Sequence, residues 1–365
     1  MGGGPAKDHL LALLPFPEPK EIFSALQKKF PSLDITYHQT GSNKNAQELY
    51  DSVPKHLWHS ATILVTLFTF PQDLSEIPNL ELVHLVSAGS NQLQGQPLYK
   101  DSDVTITTST GIHGPQIAEW VVMTGLVGSH HYKQLYELQK AHQWGGDGKT
   151  DYRAVRDKVG QRIGVLGYGS IGRQVGRVAS AMGMEVLAFT ASEKDTAEKK
   201  RDDGYVVPGT GDVEGSIPTE WYHGLDKESL HNFLKQDLDW LVVSVPLTDQ
   251  TRHFLGTEEF KVLSQGGKRS AFVTNIARGS IVKQQDLIEA LKDGTLSGAA
   301  LDVADPEPLP KDNELWGLEN VILTPHISSS SGAYTERTFD LLEKNLQRKA
   351  KGENLINVVN RKRGY

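Results

Sequence analysis

"RIGVLGYGSIG", Arg162 to Gly172, decides the fold. A short apolar run of the kind that forms a buried parallel strand leads directly into glycines at 167, 169 and 172. After them Ile171, Val175, Val178 and Ala179 recur on one helical face. Strand, G-x-G-x-x-G turn and helix together predict a dinucleotide site, because free N–H groups at a helix start hold a pyrophosphate and glycine lets the backbone approach it. In a chain with 35 glycines the spacing alone is weak, and a glycine-rich structural turn is the competing reading. The flanking strand and helix favour the dinucleotide, with Gly167, Tyr168, Gly169, Ser170, Ile171 and Gly172 as its loop.

Outward from this motif, "EVLAFT", "WLVVSV", "SAFVTNI", "GAALDV" and "VILTPH" complete six apolar strand candidates. Between them Asp226 caps "KESLHNFLKQ", Thr257 caps "EEFKVLS", and Gly294 ends "KQQDLIEALKD". Repeated strand–helix–strand units predict a doubly wound parallel sheet with right-handed crossovers. The exception is the charged, then Gly- and Pro-rich stretch from Lys194 to Gly224, expected to be a surface excursion. Upstream, "HLLALLPF", "DITYHQ", "ATILVTLF", "LELVHLVS" and "VTITTS" alternate with helix-like stretches, the pattern of a second parallel sheet. From Gly114 to His142 one long helix is expected. After "ISSSSG" an amphipathic helix carries Leu341, Leu342 and Leu346 on a common face and is expected to return to the first domain.

Composition narrows the function. A length of 365 residues favours two domains. No apolar run approaches the roughly 20 residues that span a bilayer, and the N-terminus reads as a first strand, not a signal segment. Zero cysteines excludes disulfides and thiolate chemistry and fits a reducing compartment, with the cytoplasm as the expectation. A net charge of −7 argues against nucleic acid as the main partner, "RKRGY" being only a basic tail. The 13 histidines show no metal-ligand spacing, so no metal is expected.

Three residues at later strand ends carry chemistry. Arg278 in "NIARGS" stands where ligands of open α/β sheets collect, and a guanidinium grips a carboxylate through two parallel hydrogen bonds. His326 in "LTPHIS" can exchange a proton near neutral pH, and Glu307 in "DPEPLP" can fix its tautomer and raise its pKa. Each alone is more readily structural. Three together above one nucleotide site are not independent accidents.

With these residues in place, the sequence resembles the D-isomer-specific 2-hydroxyacid dehydrogenases, the family that includes glyoxylate and hydroxypyruvate reductases. The resemblance is densest in "GYGSIG", "SVPLTDQTRHFL", "NIARGSIVKQQDLIEALKDGTLSGAALDVADPEPLP" and "LENVILTPHIS", and Arg278, Glu307 and His326 fall at the family's catalytic positions. It implies a Rossmann dinucleotide-binding domain, residues 114–329, inserted in a flavodoxin-like substrate domain, residues 1–113 and 330–365. It also implies that Ala88 and Gly89 hold the substrate carboxylate by their N–H groups, that Asp302 fixes the nicotinamide carboxamide, that Pro246 and Ala277 border the cofactor, and that Ser329 borders the substrate. A homodimer is implied, and the helix from Gln116 to His142 is either its contact or simply an interdomain helix. The expected reaction is reduction of a 2-keto acid to the D-2-hydroxy acid, or the reverse.

A formate dehydrogenase resembles the same fold but pairs its histidine with glutamine, which Glu307 argues against. C-terminal-binding corepressors look like this family too and use the dinucleotide to stabilise assembly, so an interaction protein is the alternative. The second strand ends in Thr190, Ala191 and Ser192 without the acid that usually accepts the ribose 2′-hydroxyl of NAD. Thr190, Ser192 and Lys194 therefore favour NADP over NAD, although Glu193, Asp195 and the lack of an arginine stand against it. Leu67, Phe68 and Phe70 either line an apolar substrate site or pack a core. The physiological keto acid and the role of the excursion stay open.

Overall fold

A computed structural model describes residues 8–41, 45–146, 148, 152–265 and 270–361. Two compact units form: the described residues up to Ile112 together with those from Gly332 onward, and His113–Ser331. The tail "RKRGY" lies beyond the described residues except for Arg361.

The first unit runs β1 (His9–Leu14), α1 (Lys20–Lys29), β2 (Asp34–Gln39), α2 (Ala46–Asp51), α3 (Lys55–Ser60), β3 (Ile63–Thr66), β4 (Leu82–Leu85), α4 (Pro97–Lys100) and β5 (Thr105–Thr108). All five strands are parallel, in the order β2-β1-β3-β4-β5, the flavodoxin-like winding. Every residue of β1 is buried, as the unbroken apolar run "HLLALL" demands of a central strand covered on both faces. Phe70, which sequence allowed to line a substrate site, is a buried core residue beside Leu64 and Leu85, while Leu67 packs partly against the opposite core and Phe68 is exposed.

The second unit runs α5 (Gly114–Ser129), α6 (Tyr132–Lys140), β6 (Arg162–Leu166), α7 (Ser170–Ala181), β7 (Glu185–Thr190), α8 (Ala197–Lys200), β8 (Glu220–His223), α9 (Lys227–Leu234), β9 (Trp240–Val243), α10 (Thr257–Gln265), β10 (Phe272–Asn275), α11 (Gln284–Lys292), β11 (Gly298–Leu301) and β12 (Val321–Leu323). Its parallel sheet has the order β12-β11-β10-β9-β6-β7-β8. The order reverses between β6 and β9, the switch point at whose strand ends nucleotides bind. One face is covered by α5 and α7, with Ile117, Val121, Val175 and Ala179 buried, and the other by α9, α10 and α11. The chain closes with α12 (Tyr334–Lys351), whose Phe339, Leu342 and Leu346 join the core of the first unit; Leu341 is buried as well.

Two expectations change here. The helix from Gly114 to His142 is two helices, broken where His131 takes a left-handed conformation at φ 54°. The sheet has seven strands, not six, because the excursion after β7 ends in the edge strand β8. Edge position explains why "EWYH" lacks the apolar continuity of the inner strands. Of the helix signals, Asp226 accepts from the Ser229 N–H and Gly294 takes φ 79° after α11, as read. Thr257 is the first residue of α10, with its N–H donated to Asp286.

Candidate active site

The three glycines after β6 differ in a telling way. Gly167 has φ 105°, and a Cβ there would lie 2.6 Å from the Ser244 backbone. At Gly172 a Cβ would lie 2.3 Å from the Gly167 carbonyl oxygen, so helix and turn touch. Around Gly169 a Cβ would meet nothing within 4 Å. The first and third glycines are demanded by the protein itself, whereas the second faces an open space at the start of α7, where Gly169 is the N-cap and brings no side-chain cap. That space bordered by helix N–H groups fits a pyrophosphate. Tyr168 is turned away from it: its N–H donates to Phe189, as does that of Gly167, and its ring is buried.

At the end of β7 the Thr190 hydroxyl donates to the Ser192 carbonyl at 2.8 Å, and Ser192 is exposed. Asp195, one of the acids that argued against a 2′-phosphate, is paired with Lys199 at 2.7 Å. Pro246 is exposed after β9 and accepts from the Thr251 hydroxyl through its carbonyl.

Arg278 follows β10. The Asn275 side chain closes the turn by accepting from the Ala277 N–H and donating to the Arg278 carbonyl, both at 3.0 Å, an Asx-type clamp that the asparagine at the strand end would have signalled. Ala277 is buried. Among the described residues no carboxylate forms an ion pair with Arg278, whose Nη1 donates to the Ala277 carbonyl at 2.7 Å. Burial pulls its pKa below the usual arginine value, with the Glu307 charge acting the other way. An arginine does not lose its proton in a protein, so the consequence is a poorly solvated cation in want of an anion.

The loop bearing Glu307 lies directly against that turn. A Cβ on Gly279 would sit 1.9 Å from the Ala304 carbonyl oxygen, and the Ser280 hydroxyl donates to Asp305 at 2.7 Å. Glu307 Oε1 is 2.7 Å from His326 Nδ1, and the side chains are 41% and 44% exposed respectively, so the pair opens outward. With Nδ1 engaged by the carboxylate, Nε2 is left to exchange a proton.

His326 is held by Asp302 in a way sequence reading missed. The His326 N–H donates to the Asp302 carbonyl at 2.8 Å, and the Asp302 carboxylate accepts from the Thr324 hydroxyl and from the N–H groups of Ile327 and Ser328. Asp302 is buried, and these bonds hold the segment in which His326 takes φ 53°. Ser329 follows on this loop, and its carbonyl accepts from Gln116. Ala88 and Gly89 belong to the first unit, after β4, where their carbonyls accept from the hydroxyls of Thr110 and Ser87. His231, Glu258 and Glu259 come together elsewhere, but Glu259 is already bonded by Lys227 and His231, at 3.0 and 2.9 Å.

The comparisons agree with this geometry. The family model described as "D-isomer specific 2-hydroxyacid dehydrogenase, NAD binding domain" matches residues 122–209 and 212–328. A glyoxylate/hydroxypyruvate reductase B from Erwinia tasmaniensis is 30% identical over 259 residues, 71% of this chain and 72% of that protein. A D-isomer specific 2-hydroxyacid dehydrogenase from Xanthobacter autotrophicus Py2, solved with NADPH and MES, superposes with a TM-score of 0.75 at 26% identity, covering 99% of this chain and 100% of the other. An NADPH-dependent glyoxylate/hydroxypyruvate reductase from Sinorhizobium meliloti, solved with NADP and sulfate, gives a TM-score of 0.72 at 26% identity over 98% and 100%. With a glycine turn at the switch point, an arginine, a glutamate and a histidine at successive strand ends beyond it, and these matches, the chain belongs to the D-isomer specific 2-hydroxyacid dehydrogenase family.

Proposed function

We propose that Arg278, His326 and Glu307 reduce a 2-keto acid to the D-2-hydroxy acid, or catalyse the reverse, in a nicotinamide-dependent oxidoreductase. A dinucleotide held at the Gly167–Gly172 loop would supply the hydride for the keto carbon. Arg278 binds the carboxylate and polarises the keto oxygen, which takes its proton from His326 Nε2. Glu307 stabilises the imidazolium and sets its orientation. The observation that carries the reading is the 2.7 Å contact of His326 with Glu307 beside a desolvated Arg278 that lacks an ion-pair partner among the described residues. A positioned proton donor contributes roughly 10² to 10⁴ in rate. The corepressor-like alternative has no observation in its favour. The test is oxidation of NADPH and NADH with a panel of 2-keto acids, glyoxylate and hydroxypyruvate included. Turnover that needs both a keto acid and a dinucleotide supports the reading, and its absence from the whole panel would overturn it.

NADP is the favoured cofactor. Thr190 is no acid, Asp195 is paired with Lys199, and Ser192 is exposed at the strand end. The S. meliloti relative is NADPH-dependent, and the X. autotrophicus structure holds NADPH. Thr190→Asp moves the kcat/KM ratio toward NADH by about tenfold, the size expected of one repelled charge.

A homodimer is proposed through α5, α6 and the turn after them, where Met123, Tyr132, Leu135, Tyr136 and Trp144 are exposed. Tyr136→Asp and Trp144→Asp should then lower the mass in sedimentation equilibrium; a wild-type monomer refutes it. Among the described residues no helix is long and apolar enough to cross a membrane. Cytoplasmic location, expected of a cysteine-free chain, is checked by fractionation.

A further inference from the structure

The stretch between α8 and β8 has no part in the chemistry above, yet its Asp212 is buried in polar contacts against α7. Tyr168, between the first two glycines of the cradle, is 2% exposed and lies edge-on to Trp221 with centroids 5.1 Å apart. It fits under α7 only because residue 176 is glycine, where a Cβ would come within 2.7 Å of the Tyr168 hydroxyl. That hydroxyl donates to Asp212 Oδ2 at 3.0 Å. Asp212 is itself buried and accepts from the N–H groups of Ser216 and Ile217 at 3.0 and 3.1 Å. Arg173, in the first turns of α7, is 4% exposed and donates to the carbonyls of Asp212 and Lys200, while its guanidinium lies over the Tyr168 and Trp221 rings at 5.4 and 5.9 Å. Farther along α7, Gln174 accepts from the Gly211 N–H and Arg177 donates to the Gly211 carbonyl.

A turn between two glycines asks nothing of the residue at 168 beyond room for its backbone. A buried tyrosine bonded to a buried carboxylate exceeds that requirement, and the partner comes from 44 residues away. We propose that residues 200–217 brace the dinucleotide loop, Asp212 acting through Tyr168 as a positioning residue that sets cofactor affinity without touching the cofactor. The proposal rests on the dinucleotide reading of the cradle. N–H groups held at fixed positions bind a pyrophosphate without paying to order the loop at the moment of binding, and that difference appears in Kd. Once the loop is filled the braced and unbraced forms present the same groups to the substrate, so turnover at saturation is spared.

Tyr168→Phe, nearly isosteric, and Asp212→Asn are compared with wild type by titrating the full chain with NADPH against tryptophan fluorescence, alongside kcat at saturating NADPH and thermal midpoint. A rise in Kd of about tenfold is expected from the loss of one hydrogen bond to a charged group, with kcat within about twofold, and the double variant should be no worse than the weaker single one because both break the same contact. Leu291→Val, in the α11 core, controls for general loosening and should lower the midpoint with Kd unchanged. A Kd for Tyr168→Phe and Asp212→Asn that matches wild type, or that rises only as in Leu291→Val, overturns the brace. A wild-type chain that binds neither NADPH nor NADH overturns the dinucleotide reading, and the brace with it.

Discussion

Gly169→Ala separates what the fold needs from what the ligand needs. The added methyl meets no protein atom within 4 Å, and residue 169 has φ −87° and ψ −161°, extended backbone open to alanine. Folded stability should therefore change by no more than about 1 kcal/mol, the scale of an N-cap substitution. On the dinucleotide reading, the same methyl would take up the open space beside Gly169 and push a phosphate away from the N–H groups of α7. Charge-assisted hydrogen bonds are worth about 1.5 to 3 kcal/mol each, so losing one weakens the dinucleotide by roughly 10- to 150-fold. Gly172→Ala should do the reverse. Its Cβ would lie 2.3 Å from the Gly167 carbonyl oxygen, backbone that cannot swing aside, and overpacking of that kind costs about 1 to 3 kcal/mol. Calorimetry of unfolding and fluorescence titration with NADPH, run on both variants, give the two readouts. Wild-type affinity in a well-folded Gly169→Ala protein would refute the placement of the pyrophosphate.

Arg278→Lys should recover little of the activity lost in Arg278→Ala, because an ammonium lacks the planar fork; steady-state kinetics with a 2-keto acid check this, and near-normal kcat/KM in either variant would remove Arg278 from the reaction. Glu307→Gln should lower kcat by roughly 10²-fold while leaving NADPH binding intact, since the contact it breaks is the one to His326 Nδ1; an unchanged kcat would contradict the role. In the first unit His84 is buried between Thr107 and Ser109, and burial pushes its pKa down to about 4. Its stabilising contribution is complete above about pH 6.5, where folded and unfolded chains are both neutral there. It is lost as the pH falls toward 4, because the unfolded chain takes up a proton that the folded one refuses, on the order of 3 kcal/mol in all. Urea unfolding at neutral and acid pH should show a shallower loss for His84→Gln than for wild type, and parallel losses would refute it.

The parts legible in the sequence were those where one local rule acts alone. Strand, glycine turn and helix from Arg162 to Ala181 follow from periodicity and backbone freedom, and Arg278, Glu307 and His326 stood out because each follows an apolar strand. What stayed hidden depends on partners far along the chain. Tyr168 reads as a loop residue until Asp212 is seen beneath it. The part Asp302 plays in holding the His326 segment was hidden, because its carboxylate accepts from three donors more than 20 residues further along the chain. The break between α5 and α6 was masked because histidine, unlike glycine or proline, carries no obvious signal of a left-handed turn. Strand β8 was missed because an edge strand exposes half its residues and loses the apolar run that marks the inner ones.

The seam between Gly279 and Ala304 limits how this protein can drift. With 1.9 Å between a would-be Cβ and the facing carbonyl oxygen, every substitution at 279 must separate the segment carrying Arg278 from the one carrying Glu307. A library randomised at 279 and selected for activity should return glycine alone. The same tightness makes the two segments a single inherited piece. At position 279 a side chain would have to be answered by a shift of the backbone at Ala304.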